Sequence, residues 1–144
     1  MTTIACDGKT LAGDKQVTTG GTATLTTKVF KVKTKKGTVL AGYSGDLADG
    51  QAFIEWLKKG ENELPDMSVL NALVIKKNGS VKVYHDAQKG RAADMGTLDM
   101  WALGSGCDYA LGAMKFGATA KEAIEIASEL DVNTGLGVDV VSFS

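Results

Sequence analysis

Proline and histidine each occur once in these 144 residues, as Pro65 and His85, and cysteine only twice, as Cys6 and Cys107. A single histidine excludes a histidine-rich zinc site. It would also have to serve alone in any Ser-His-Asp or Cys-His arrangement. His85 follows the alternating run Val81-Lys82-Val83-Tyr84 and reads as a strand-end residue. The two cysteines fit no metal or disulfide-framework spacing, and no secretory signal opens the chain, so a reduced, cytoplasmic protein is expected. No apolar run reaches membrane-spanning length. The formal net charge is -1, which leaves neither a basic footprint for nucleic acid nor an acidic tail. Lys28, Lys31, Lys33, Lys35 and Lys36 do form a local basic run. Its alternation suits a solvated strand face or a contact within an assembly better than a nucleic-acid groove.

What remains is an ordinary globular composition, 44% apolar and 23% charged, long enough for one domain spanning 1–144 with a real core. Ile4 to Asp14 reads as a hairpin around Asp7-Gly8, a pair that suits a type I′ turn. Thr22 to Thr34 has strand composition after the Gly20-Gly21 loop, and Thr38 to Gly42 reads as a buried strand after the turn Lys35-Lys36-Gly37. The period then changes: Phe53, Ile54, Trp56 and Leu57 predict one face of a helix beginning near Asp46 or Asp49 and stopping at Gly60. Glu61 to Asp66 is a connector. Asn78-Gly79 joins the strands 72–75 and 81–84, and 87–98 has no clear period. Trp101-Ala102-Leu103 leads through Gly104-Ser105-Gly106 into a helix over 108–116. Thr119 and Glu122 form a capping box for a helix burying Ala123, Ile124, Ala127 and Leu130. Val138 to Val141 closes the chain as a strand. Grouped strands with helices outside them predict α+β architecture, antiparallel sheets sandwiched between helical layers.

The stretch that organises these elements is the first one. With Met1 removed, as a small residue in second position commonly allows, Thr2 would carry a hydroxyl and a free α-amine on one residue. A threonine hydroxyl is a poor nucleophile alone, and an adjacent N-terminal amine can act as its base. An α-amine titrates near ~7.7–8.0, already close to a useful base. A lysine cation beside it favours the neutral amine by like-charge repulsion.

Thr2-Thr3-Ile4, Ala12-Gly13-Asp14, Lys28-Val29, Ala41-Gly42-Tyr43-Ser44-Gly45, Asp49 and Gly104-Ser105-Gly106 together resemble the proteasome β-subunit family, in particular its bacterial HslV-type branch. Order and spacing agree from Thr2 to Asp49 and again from Trp101 to the C-terminus. The resemblance implies an α/β/β/α sandwich of the N-terminal-nucleophile hydrolase type and a threonine peptidase. Thr2 matches the nucleophile, Lys28 the lysine near its amine, and Asp14 the carboxylate that holds the lysine. Gly42 matches the glycine whose N–H forms the oxyanion hole, and Ser105 the supporting serine. Asp131 with Thr134 matches an Asp-x-x-Ser pair near the nucleophile. Val17, Thr26, Phe30, Leu40 and Ser44 match the specificity pocket, whose mostly apolar character suits an apolar side chain before the scissile bond.

By the same resemblance the chain would stack into homo-oligomeric rings around an inner chamber. It would cleave peptides or unfolded proteins, use no metal or organic cofactor, and work with a separate AAA+ unfolding ATPase. Neither nucleic acid nor membrane is expected as a partner. Two departures stand out. The connector Glu61 to Asp66 replaces the family's second helix, and Thr134 stands where Ser is common. An inactive proteasome-like ring protein and a small-amide hydrolase of the same class remain as alternatives. Nucleotide binding at Gly104-Ser105-Gly106 is disfavoured, because the required lysine and full glycine spacing are missing.

Overall fold

Alternation at the first strand divides the molecule into layers. In β1 (Thr3–Cys6), Ile4 and Cys6 face one way and Thr3 and Ala5 the other. The computed structural model describes residues 2–60, 70–85 and 92–144. β1 pairs with β2 (Thr10–Asp14) through a hairpin in which only Gly8 takes positive φ, +89°. A type I′ turn needs positive φ at both central residues, so this turn follows the II′ pattern at Gly8-Lys9 instead. Asp7 fixes the turn by accepting from Lys9 N–H, Thr10 N–H and the Thr10 hydroxyl. Its second oxygen accepts from Ala120 N–H at the start of a distant helix.

The segment expected as one strand from Thr22 to Thr34 is two. β3 (Gln16–Thr19) and β4 (Thr22–Leu25) form a two-stranded ribbon, with β4 wholly exposed. β5 (Val29–Thr34) begins a different sheet, beside β6 (Gly37–Gly45), β7 (Leu70–Lys76), β8 (Ser80–His85) and β9 (Ala93–Thr97). That five-stranded sheet is antiparallel throughout. The other main sheet runs β10-β1-β2-β11, where β10 is Trp101–Gly104 and β11 is Val138–Ser142. Ile4, Leu11, Val29, Leu40, Leu73 and Val83 pack between the two sheets. Each such side chain contributes about 1.5–3 kcal/mol by leaving water.

The two outer layers differ in texture. α1 (Leu47–Lys58), capped by the Asp46 side chain on Asp49 N–H, buries Phe53, Ile54, Trp56 and Leu57 on the five-stranded sheet, as its period predicts. Phe53, Trp56 and Tyr84 meet with centroids 4.9–5.9 Å apart. Gly50 lies under the Tyr43 ring, where a Cβ would fall 2.2 Å from ring carbons. α2 (Cys107–Lys115) and α3 (Ala120–Leu130) cover the other sheet through small residues, Ala5, Ala12 and Ala102 against Ala110, Ala120 and Ala123. The Thr119–Glu122 capping box is formed. Leu130, expected inside, is 57% exposed, because the helix ends there. The order of layers is α/β/β/α. The connector Glu61 to Asp66 lies outside the described residues, as does part of the unreadable stretch 87–98. His85 ends β8 and pairs with Asn71, in keeping with its strand-end reading. Among the described residues no helix is long and apolar enough to cross a membrane.

Candidate active site

The edge where β1 begins, β2 ends and β5 enters the second sheet brings Thr2, Asp14 and Lys28 together. Asp14 is fully buried and Lys28 is 3% exposed. Asp14 Oδ1 accepts from Thr2 Oγ1 at 2.5 Å, Lys28 Nζ at 2.9 Å and Thr3 N–H at 3.1 Å. Its Oδ2 accepts from Gly135 N–H at 3.0 Å. A buried carboxylate is tolerated only when paired and hydrogen-bonded, and these four donors supply both conditions. Lys28 Nζ donates also to Gln16 O. Burial pushes the Lys28 ammonium below the ordinary lysine range, and the Asp14 charge and hydrogen bond oppose that fall.

A second cluster holds the next residue. Ser105 Oγ and Thr134 Oγ1 donate to Asp131 Oδ2 at 2.5 and 2.7 Å. Having spent its one proton there, Thr134 can only accept from Thr3 Oγ1, 2.8 Å away. Thr3 Oγ1 in turn accepts from Gly106 N–H at 2.9 Å. Burial raises the Asp131 carboxyl, but hydrogen bonds from Ser105, Thr134 and Asn133 N–H outweigh it and leave the group below its usual range. The loop between β10 and α2 can approach only because two of its residues, Gly104 and Gly106, lack side chains. Gly104 has φ +101°, and a Cβ there would fall 1.7 Å from Thr2 O. Ser105 N–H consequently reaches Thr2 O at 2.8 Å.

A cavity of about 180 Å³ opens beside Thr2 and Lys28, lined among others by Val17, Tyr43, Ser44, Gly45 and Leu47. Of the expected pocket residues, Val17 and Ser44 are there. Leu40 is fully buried between the sheets. Phe30 points to the opposite face, stacked on Tyr43 at 6.2 Å, and Thr26 bridges β4 and β5 with its N–H on Lys15 O. None of these three lines the cavity.

Gly42 is also placed elsewhere than expected. A Cβ on it would meet Val29, Ile4 and Leu11, so it serves the close approach of the two sheets. Successive strand residues direct their N–H groups to opposite neighbours. Tyr43 N–H goes to Lys28 O on the β5 side, so Gly42 N–H is directed toward β7. Gly45 N–H shares the edge of Tyr43, past the first residue of β5, where the cavity lies. The amide suited to an oxyanion there is that of Gly45. Thr3, Gly104, Gly106 and Gly135 were missed as site residues, although Thr3, Gly104 and Gly106 fall inside the quoted fragments. Their role is carried by backbone proximity, which residue type does not announce. Among the described residues no cluster of three His, Cys, Asp or Glu could hold a metal ion.

No family model matches the sequence, and no curated protein matches it. Solved structures do match the fold. BPH of Thiobacillus denitrificans, in complex with epoxomicin, is 17% identical with TM-score 0.69 over 99% of this chain and 98% of that one. The eukaryotic HslV of Trypanosoma brucei is 19% identical with TM-score 0.68, covering 96% and 97%. The Anbu complex of Pseudomonas aeruginosa, solved as a helical assembly, is 12% identical with TM-score 0.67, covering 99% and 81%.

Proposed function

We propose that this chain, whose fold is that of the HslV-type proteasome-like peptidases, is an N-terminal threonine endopeptidase. One observation carries the reading: Thr2 Oγ1 and Lys28 Nζ converge on the same buried oxygen of Asp14. Removal of Met1 frees the Thr2 amine. That amine takes the Oγ proton as Oγ attacks the peptide carbonyl, with the Lys28 cation keeping the amine neutral and basic. Gly45 N–H receives the oxyanion; losing one such donor costs about 2.7–4 kcal/mol in comparable sites. The peptide C–N bond then breaks, the leaving amine takes the proton from the Thr2 ammonium, and an ester remains on Thr2. The same amine deprotonates water to hydrolyse it. Val17, Tyr43 and Leu47 favour an apolar side chain before the scissile bond.

Sharing the fold of the assembled Anbu complex, the chain is read as a homo-oligomer. Stacked rings enclosing the Thr2 sites, fed with unfolded protein by a separate AAA+ ATPase, are the finer form of that reading.

The test is intact mass before and after incubation with epoxomicin, the ligand of the T. denitrificans protein. Its epoxyketone closes a ring only on a hydroxyl and an amine of the same residue. Loss of Met1 and one adduct per chain, absent in Thr2→Ala, is the expected result. Met1 retained with no adduct would sink the peptidase reading in favour of an inactive assembly. Processed chains that react but remain monomers or dimers would favour a small-amide hydrolase.

A further inference from the structure

The Thr2 cavity is not the largest described. At the far end of β6, between the β5–β6 and β7–β8 turns, lies a cleft of about 330 Å³. Gly37 lines this cleft and Gly45 lines the Thr2 cavity. These residues are eight strand positions apart, roughly 26 Å at about 3.3 Å per residue. Four lysines border the cleft, Lys36, Lys76, Lys77 and Lys82.

Register fixes two of them on one face. Lys76 pairs with Val39, and Lys82 with Val74. Val39 and Val74 belong to the core under α1, so both lysines stand on that same face. They occupy diagonal positions of adjacent strands, close enough for like charges to interact unfavourably. Lys36 and Lys77 add their charges from the two turns. The ion pairs of the described residues engage Lys15, Lys28, Lys58 and Lys121 and none of these four. Thr34, Thr38 and Asn78 supply further polar groups, and Val39, Val74 and the edge of Tyr84 form an apolar floor. In a chain of net charge -1, four lysines around one concavity, none of them in an ion pair among the described residues, are a local exception.

We infer that this cleft binds a small oligophosphate anion. Lysine ammonium groups are compact point charges on flexible stems and suit phosphate oxygens approached from several directions. The volume is that of a small-molecule pocket. The proposal is independent of the peptidase reading, because it shares no residue with the Thr2 site.

The experiment is calorimetric titration of the full chain with tripolyphosphate, inorganic phosphate, metal-free ATP and hexaglutamate, at low and at raised salt. Saturable binding of one tripolyphosphate per chain is expected, weaker for single phosphate and weakened by salt through screening. In Lys76→Gln/Lys82→Gln, affinity should fall by about tenfold or more as two charge-assisted contacts are lost. Lys36→Gln, on an exposed turn, provides a milder second variant should the double change perturb the sheet. Lys58→Gln/Lys121→Gln should bind as before, and so should Thr2→Ala. ATP binding more tightly than tripolyphosphate would add the apolar floor to what is read; equal binding would assign recognition to the phosphates alone. Absence of saturable binding, equal loss in the control lysine variant, or hexaglutamate binding as tightly would overturn the proposal, the last in favour of an acidic peptide.

Discussion

Asp14 and Asp131 grip the same dipeptide, Thr2-Thr3, with different chemistry. Asp14 accepts from the Thr2 hydroxyl, the Thr3 amide, a lysine cation and a second amide. Asp131 hydrogen-bonds to no cation among the described residues, and the N-terminal charge is only the smallest of the influences on it. It accepts from Ser105 and Thr134, and reaches Thr3 only through Thr134. One carboxylate therefore sits in the path of charge and the other sets geometry. The contrast teaches how one strand end can be both reactive and held still. Changes at the Asp14 side should cost chemistry and stability together, and changes at the Asp131 side should cost less of each.

The largest effect belongs to Lys28→Ala. It removes the cation that conditions the nucleophile and leaves Asp14 buried without its partner. Breaking a buried pair from one side costs about 3–5 kcal/mol, which denaturant unfolding would report. Peptide hydrolysis should fall by about 10³-fold or more, as for other residues that act as a unit. Wild-type rates in a folded Lys28→Ala would remove Lys28 from the mechanism. Next comes Gly104→Ala. The added Cβ would occupy the space of Thr2 O, at a φ of +101° that alone costs about 1–3 kcal/mol. Loss of epoxomicin labelling is expected even where circular dichroism shows a folded chain. Retained labelling would mean that the Gly104-Ser105-Gly106 loop does not position Thr2.

The same comparison shows what the sequence made legible. Thr2, Asp14, Lys28, Ser105, Asp131 and Thr134 could be picked out by type and order, and the structure brings each into one of the two clusters. Element order was readable because period changes and turn residues mark it locally: Asp46 for α1, Thr119–Glu122 for α3, Asn78-Gly79 for the β7–β8 turn. What failed was depth along a strand. β6 repeats a small-residue-then-glycine step, Ala41-Gly42 and Ser44-Gly45, three residues apart. Reading the first step as the site put Leu40 and Gly42 there. Moving by three brings Tyr43, Gly45 and Leu47, which line the cavity together with Ser44. Local chemistry cannot choose between the two steps; only pairing with Lys28 at the end of β5 does. The split of Thr22 to Thr34 has a similar cause. Nothing in its Thr and Val content records that Thr26 must bond Lys15 O so that Lys28 can turn toward Asp14.

A pH profile sharpens the Asp14 side. Cleavage should rise as the Thr2 amine deprotonates, near or below ~7.7–8.0. It should fall again when Lys28 loses its charge, and burial brings that loss below the ordinary lysine range despite Asp14. Lys28→Arg keeps its charge to much higher pH. It should therefore lose the alkaline limb, at a reduced maximum rate because a planar fork replaces a point charge. An unmoved alkaline limb in Lys28→Arg would assign that titration to another group.

Asp131→Asn gives the smallest effect and tests the other half of the contrast. An amide can still accept from one hydroxyl, so the chain Gly106–Thr3–Thr134 survives in part, and the Asp14–Lys28 pair beside the nucleophile is untouched. A loss of about 10-fold in hydrolysis is expected, the size of effect seen when an orienting partner rather than a reacting group is changed. Its pH signature has a definite sign. The folded Asp131 carboxyl lies below its usual value, so the folded state binds fewer protons than the unfolded chain in the acid range. Its contribution to stability is complete above the unfolded pKa, about 3.9, and is lost as pH falls through the folded value. The melting-temperature gap between wild type and Asp131→Asn should be constant near neutrality and shrink in acid. A gap that widens in acid would reverse the sign and mean that Asp131 is held protonated. The single proton of a neutral carboxyl could then be donated to only one of Ser105 and Thr134, that hydroxyl would have to accept rather than donate, and the second cluster could no longer anchor Thr3 as described.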